Sequence, residues 1–150
     1  MRLTGVRKVR LAPPVVRLPV WKKSARAARL LSMKVLIVDD HPGFRASARR
    51  MLEADGHEVV AEANTGVEGI RTAVELAPEL VLLDVHLPDI DGFEVASRLA
   101  RNGDSPAIVL TSSHESSDFG PLVERSGARG FIPKSELSGE ALRRILDDGA

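Results

Sequence analysis

Five short apolar runs recur along the chain from residue 35 onward. They occupy residues 35–38, 59–61, 80–83, 107–110 and 130–132. A continuous apolar run of this length is typical of a strand that is buried on both faces, as in a parallel sheet. The runs therefore predict five strands of one buried sheet.

The segments between these runs place apolar residues at helical spacing. In the first segment, one helical face carries Phe44, Ala48, Met51 and Leu52. Capping residues mark the predicted starts of three later helices, namely Thr65, Asp91 and Ser138. Residues 116–126 are polar and include glycine and proline, so their helix signal is the weakest of the five.

The alternation of strands and helices predicts an α/β fold. Five strands joined by five helices form a doubly wound parallel sheet with right-handed crossovers and helices on both faces. The usual strand order of the five-stranded version is 2-1-3-4-5, and its ligand crevice opens between strands one and three. We predict that architecture here.

The zero net formal charge conceals two regions of opposite sign. Residues 1–33 contain nine basic residues and no acidic one, whereas residues 34–150 contain twelve basic and all 21 acidic residues. The first region also has three prolines and no sustained apolar period, which predicts an extended or disordered segment. We therefore predict a basic leader at residues 1–33 and one globular domain at residues 34–150.

Three interpretations of the leader compete. A basic arm could bind nucleic acid or an anionic membrane surface, and an arginine-rich, acid-free segment is also typical of a transit peptide. The favoured interpretation is a segment without function, because Met33 directly precedes the first strand and could be the true start. Nucleic-acid binding is not expected outside residues 1–33.

Composition excludes several kinds of site and location. The chain has no cysteine, which rules out disulfides and thiolate metal sites and fits a reducing, cytoplasmic location. Its longest apolar runs are about four residues, far fewer than the roughly 20 that a membrane-spanning helix needs. No membrane span is expected.

Acidic residues follow the two strands that flank the predicted crevice. Asp39 and Asp40 end the first strand, and Asp84 ends the third. Converging carboxylates raise each other's pKa unless a cation neutralises them, and Mg2+ prefers carboxylate, water and phosphate oxygens. The positions of these residues therefore predict a Mg2+ site.

Hydroxyl and ammonium groups follow the fourth and fifth strands. The hydroxyls belong to Thr111, Ser112 and Ser113, and the ammonium belongs to Lys134. Phosphoryl transfer is catalysed mainly by positioning and charge neutralisation, which a cation, an ammonium and a hydroxyl around one carboxylate can supply. The pattern indicates a phosphoryl-transfer site at the carboxyl edge of the sheet.

Four segments together resemble a known family. They are residues 38–40 (Val-Asp-Asp), 83–92 (Leu-Asp-Val-His-Leu-Pro-Asp-Ile-Asp-Gly), 111–112 (Thr-Ser) and 130–134 (Gly-Phe-Ile-Pro-Lys). In order and spacing they resemble the receiver domain of response regulators in two-component signalling, which has a flavodoxin-like fold. The resemblance covers nearly the whole globular part of the chain. The sequence is similar to receivers of transcription-factor response regulators.

The resemblance implies an acceptor and a metal site. Asp84 would attack the phosphorus of a histidine-kinase phosphohistidine and become an acyl phosphate. Mg2+ would be bound by Asp39, Asp40, Asp84 and the backbone carbonyl of His86. The domain would thus be a phosphorylation-dependent switch that assists its own phosphorylation, and not an enzyme that turns over small molecules.

The resemblance also implies a switching apparatus. Lys134 would pair with Asp84 and then with the phosphoryl group, Thr111 would hydrogen-bond to a phosphoryl oxygen, and Phe131 would turn inward. Three positions resemble the family's tuners of access and dephosphorylation rate, namely His86, Ser112 and Ser113. Because Ser135 stands where many receivers have proline, no cis peptide bond is expected after Lys134. The four histidines lack metal-ligand spacing, which predicts surface or loop positions for His41, His57, His86 and His114.

The residues alone leave other functions open. A pseudo-receiver would act by constitutive protein contact without phosphorylation. A haloacid-dehalogenase-like phosphatase would need a second aspartate at the position of His86, and a flavin-binding relative would need a hydroxyl-rich loop after strand one. Expected partners are a sensor histidine kinase or phosphotransfer protein, a downstream protein, and a second copy through helix four, strand five and helix five. We expect a stand-alone receiver or a fragment of a longer regulator.

Overall fold

A computed structural model describes residues 32–101, 105–113 and 119–148. The predictions for residues 1–31 and for His114 fall outside these described residues. Within them, the strands are β1 (Lys34–Val38), β2 (Glu58–Ala63), β3 (Leu80–Asp84), β4 (Ala107–Ser112) and β5 (Gly130–Pro133). The α-helices are α1 (Pro42–Ala54), α2 (Gly66–Leu76), α3 (Gly92–Ala100), α4 (Gly120–Ser126) and α5 (Gly139–Asp148), and a 3-10 turn at Lys134–Glu136 precedes α5.

The five strands form one parallel sheet in the order β2-β1-β3-β4-β5. The predicted fold class and strand order are therefore confirmed. The helices α1 to α4 each connect two strands that run in the same direction, which is why these connections need a helix and cannot be hairpins, and α5 follows the last strand. The central strand β3 is buried at all five positions, as its continuous apolar sequence predicted.

Successive residues of the strands supply two separate apolar cores. In β1, Val35 and Ile37 pack with residues of α1 and α5, whereas Leu36 and Val38 pack with residues of α2, α3 and α4. Because side chains alternate across a strand, a sheet covered on both faces needs apolar residues at every position. This requirement explains the runs without polar alternation.

The predicted helix caps are present. Thr65 Oγ1 accepts a hydrogen bond from the amide of Glu68 at 3.1 Å, and Asp91 Oδ1 accepts one from the amide of Glu94 at 2.9 Å. Ser138 Oγ accepts one from an amide in the first turn of α5 at 3.0 Å. Each side chain satisfies an amide that lacks a partner within its own helix.

His57 lies in the loop between α1 and β2, within the prediction of a surface or loop position, but it is buried and not at the surface. His57 is 5% exposed, and its Nδ1 lies 3.1 Å from the backbone amide of Met33, just before β1. Burial lowers the pKa of His57, with Asp55 opposing this effect and Arg143 adding to it. The neutral ring is therefore a structural acceptor that joins the start of β2 to the start of β1.

Candidate functional site

The acidic residues meet at the carboxyl edge of the sheet. β1 and β3 are hydrogen-bonded neighbours with Val38 opposite Leu83, so the residues that follow these positions lie side by side. Asp39 is 1% exposed and Asp84 is 2% exposed, whereas Asp40 is exposed. The predicted convergence of carboxylates is thus observed, with two of them buried.

The Lys134 ammonium lies close to both buried carboxylates. Its Nζ lies 2.7 Å from Asp39 Oδ2 and 3.5 Å from Asp84 Oδ2, so its closer contact is with Asp39 and not with the residue predicted to pair with it. The ring of Phe44, on α1, lies below the same ammonium, with 4.5 Å between Nζ and the ring centre. Phe44 was predicted only as a core residue, since its helical spacing carries no sign of this contact.

The environment of Asp84 favours its protonated form. Burial raises the pKa of the Asp84 carboxyl and the Asp39 charge raises it further, whereas Lys134 and a hydrogen bond from the backbone amide of His86 lower it only in part. That amide lies 3.2 Å from Asp84 Oδ1. An additional cation would therefore stabilise the ionised carboxylate.

Asp39 presents an oxygen that fits a cation. Its Oδ1 accepts a hydrogen bond from the backbone amide of His41 at 2.8 Å. Its buried Oδ2 has no hydrogen bond of suitable angle within the described residues, although Lys134 Nζ is close enough for an ion pair. The backbone carbonyl of Asp39 accepts a bond of 2.6 Å from the Arg45 guanidinium, a positioning contact that the sequence did not reveal.

The predicted hydroxyl residues lie beside Asp84 at the end of β4. Thr111 is opposite Asp84 in the parallel register, and its backbone carbonyl accepts a hydrogen bond from the amide of Val85 at 2.9 Å. Thr111 and Ser112 are buried, whereas Ser113 is exposed. The Thr111 hydroxyl donates to the backbone carbonyl of Leu83, on β3, at 3.5 Å.

Phe131 belongs to an aromatic cluster that also contains Phe93 and Phe119. The ring centre of Phe119 lies 5.5 Å from that of Phe131, 5.6 Å from that of Phe93 and 6.2 Å from that of His86. Phe119 immediately precedes α4 and so connects Phe131 to the loop after Asp84. The sequence signal for Phe119 was weak, because it lies in the segment with the poorest helical pattern.

The loop after Asp84 is held by three hydrogen bonds. The amide of Gly92 donates a 2.8 Å hydrogen bond to the carbonyl of Val85. The Asp89 carboxylate accepts hydrogen bonds from the amides of Gly66 and Val67 at 2.7 and 2.8 Å, which ties the loop to the start of α2. Because Asp84 and this loop are continuous in the chain, these contacts help to position Asp84.

Residues 35–146 match the family model of the response regulator receiver domain. The chain belongs to this family. Receiver domains act in two-component signal transduction, where they interact with histidine kinases and downstream partners.

Two curated relatives of this receiver domain are named as transcriptional regulators. It is 42% identical over 110 residues to a "Putative transcriptional regulator" of Pseudomonas aeruginosa, covering 73% of this chain and 53% of the relative. It is 40% identical over 103 residues to the "Virulence factors putative positive transcription regulator BvgA" of Bordetella pertussis, covering 69% of this chain and 49% of the relative. The chain therefore spans about half the length of these relatives.

Solved receiver structures superpose well on this domain. The "two-component response regulator, LuxR family" of Aurantimonas sp. SI85-9A1 is 30% identical with a TM-score of 0.71, over 79% of this chain and 85% of that one. The receiver domain of the "putative response regulator NarL" of Mycobacterium tuberculosis is 28% identical with a TM-score of 0.70, over 79% and 96% of the two chains. Among the residues described here, no helix has the length and apolar character needed to cross a membrane.

Proposed function

We propose that this receiver domain accepts a phosphoryl group on Asp84 from a histidine kinase or a phosphotransfer protein, with Mg2+ as cofactor. Phosphorylation would change its affinity for a downstream protein. One observation carries the proposal: Asp84 and Asp39 are almost fully buried, and a single ammonium, that of Lys134, lies within 3.5 Å of both. Burying two carboxylates with one cation is unfavourable, so the arrangement favours a further cation.

The proposed reaction exchanges one bond to phosphorus for another. A carboxylate oxygen of Asp84 attacks the phosphorus of a phosphohistidine, an oxygen–phosphorus bond forms, and the phosphorus–nitrogen bond breaks. The electron pair of the broken bond returns to the imidazole nitrogen. Lys134 moves its short contact from Asp39 toward the new phosphoryl oxygens, whose negative charge it neutralises.

The donor set supports a Mg2+ site. The carboxylates of Asp39, Asp40 and Asp84 with the backbone carbonyl of His86 would hold it, and the buried Asp39 Oδ2 offers an oxygen without a hydrogen bond. When bound, Mg2+ would neutralise charge on the carboxylates and on the entering phosphoryl oxygens. Asp84 must be ionised to attack, and this neutralisation opposes the burial that raises its pKa.

Residues on β4 and β5 would change position in response to the new phosphoryl group. Thr111, beside Asp84, would move its hydroxyl toward a phosphoryl oxygen, and Phe131 would turn inward within the aromatic cluster. His86, Ser112 and Ser113 would tune the access to Asp84 and the lifetime of its phosphoryl group. The surface of α4, β5 and α5 would then contact the downstream protein or a second copy of the domain.

The proposal is tested by intact mass after incubation with acetyl phosphate and Mg2+. The wild type should gain one phosphoryl group, and Asp84→Asn should gain none. Chelation of Mg2+ should abolish the gain. As a matched control, Asp91→Asn changes an aspartate of the same loop while keeping a residue that caps a helix well, so it should be labelled like the wild type.

Two results would contradict the proposal. If the folded wild type is never labelled while a control receiver is, the pseudo-receiver alternative becomes the better explanation. If Asp84→Asn is labelled as fully as the wild type, another residue is the acceptor.

A further inference from the structure

His41 lies against the carboxylates of the proposed metal site. Its Nδ1 is 3.1 Å from Asp40 Oδ1 and 3.2 Å from Asp39 Oδ1. One ligand atom from each of Asp39, Asp40, His41 and Asp84 lies within 4.8 Å of all the others. The surface position predicted for His41 is correct, since its side chain is 65% exposed, but the sequence did not show that the ring turns toward the acids.

The separations fit adjacent ligands of one metal ion. In an octahedral site with metal–ligand distances of about 2.1 Å, neighbouring ligand atoms are about 3.0 Å apart. The two nitrogen–oxygen separations at His41 are within a few tenths of an ångström of that value. The ring would need only a small shift to place its nitrogen in the same coordination shell as the two carboxylates.

The two oxygens of the Asp39 carboxylate face different groups. Oδ2 lies 2.7 Å from Lys134 Nζ and makes no hydrogen bond of suitable angle within the described residues, whereas Oδ1 is the atom that faces His41. A cation between Asp39 and Asp40 would therefore contact His41 as well. His41 immediately precedes α1. Its backbone amide donates a hydrogen bond to Asp39 Oδ1, which holds the residue in place.

The identity of the donor atoms affects which ion is preferred. Mg2+ takes oxygen ligands almost exclusively, whereas Mn2+, Co2+, Ni2+ and Zn2+ also accept an imidazole nitrogen. Replacement of a water ligand by imidazole therefore strengthens binding of a transition metal far more than binding of Mg2+. A site of three carboxylates alone would not show this difference.

We propose that His41 is a nitrogen ligand that gives this receiver domain a preference for divalent transition metals over Mg2+ at its acidic site. This inference rests on the proposed metal site and adds a ligand and an ion class to it. Ions such as Mn2+ or Co2+ would bind through His41 in addition to the carboxylates, and Mg2+ would bind without it.

The test compares metal binding by the full chain, without any affinity tag, for four proteins. These are the wild type, His41→Ala, Asp40→Ala and Ser47→Ala, the last being an exposed residue of the same helix. Affinity for Co2+ is measured from its visible absorption, and affinity for Mg2+ by calorimetry. Electron spin-echo spectra of bound Mn2+ then report directly whether a nitrogen is coordinated.

The proposal predicts a selective loss. In His41→Ala the affinity for Co2+ should fall by about tenfold or more, while that for Mg2+ should change by less than about twofold. The nitrogen modulation in the Mn2+ spectrum should disappear in the same variant. Ser47→Ala should match the wild type, and Asp40→Ala should weaken both metals.

Three results would overturn the proposal, and they can be told apart. If Asp40→Ala weakens both metals but His41→Ala changes neither Co2+ affinity nor the nitrogen modulation, His41 only hydrogen-bonds to the acids and the Mg2+ proposal stands. If His41→Ala weakens Mg2+ as much as Co2+, its effect is not a nitrogen preference. If no protein binds either metal, both the proposed Mg2+ site and this inference fail.

Discussion

The two ends of the sheet differ in how well their polar groups are paired. At the amino end, the backbone amide of Lys34 donates to Glu79 at 2.9 Å, and that of Met33 donates to the buried ring of His57. At the carboxyl end, the two buried aspartates share one ammonium, and burial and like charge raise the pKa of Asp84.

The difference separates stability from function. Polar groups at the amino end have partners that lower the free energy of the folded chain, whereas the carboxyl end keeps an unfavourable charge arrangement that a cation can relieve. Changes at the amino end should therefore reduce stability. Removing the charge of Asp84 at the carboxyl end should increase stability and abolish the proposed phosphorylation.

The largest effect is expected from Gly92→Ala at the carboxyl end. A Cβ added at Gly92 would clash with the backbone carbonyl oxygen of Asp84 and would lie 2.8 Å from the Cα of Val85, and neither backbone atom can easily move. We expect the free energy of unfolding to fall by about 3 kcal/mol, measured by urea denaturation.

Gly43→Ala is the matched control for that substitution. A Cβ at Gly43, in the first turn of α1, would meet no atom within 4 Å, so stability should be unchanged or slightly higher. Equal losses in both variants would mean that close packing around the Asp84 carbonyl is not what makes Gly92 necessary.

A smaller loss is expected from His57→Ala at the amino end. The amide of Met33 would lose its acceptor, which should cost about 2 kcal/mol at neutral pH. Because burial lowers the pKa of His57, the unfolded chain binds a proton more readily than the folded one. The stabilisation by His57 is therefore complete above its ordinary pKa of about 6.5 and is lost as the pH falls through the lowered folded value.

Denaturation of the wild type and His57→Ala at several pH values checks this sign. The difference between the two free energies of unfolding should be largest above neutral pH and should shrink as the pH falls below 6.5, the ordinary value for histidine. A difference that stays constant over this range would show that the neutral ring is not the stabilising species.

The smallest and opposite effect is expected from Asp84→Asn. Removing one of two buried like charges, while Lys134 keeps its closer contact with Asp39, should raise the free energy of unfolding in metal-free solution by on the order of 1 kcal/mol. The raised pKa of Asp84 means that the folded chain binds the proton more tightly, so the gain should be largest at neutral pH and should decrease as the pH falls through that pKa.

Asp147→Asn, an exposed position on α5, is the control for Asp84→Asn and should be neutral. A loss of stability in Asp84→Asn would reverse the comparison between the two ends. It would mean that the contacts of Asp84 with Lys134 and the His86 amide outweigh its burial and its repulsion from Asp39.

Much of the fold was readable from local patterns. The strands follow from continuous apolar runs, because a sheet covered on both faces requires them, and Thr65, Asp91 and Ser138 follow from the needs of unpaired amides at helix starts. Strand order then places Asp39 and Asp84 at one edge. These are short-range or topological consequences of the sequence, so they required no knowledge of side-chain packing.

The finer features of the site depended on tertiary packing. The burial of His57, the short contact of Lys134 with Asp39, the ring of Phe44 under that ammonium and the turn of His41 toward the acids join residues through space. Contacts of this kind depend on rotamers and distances that no periodicity encodes. The sequence by itself determined which elements form and which chemical groups reach the edge of the sheet, and the tertiary structure alone decided which of those groups touch.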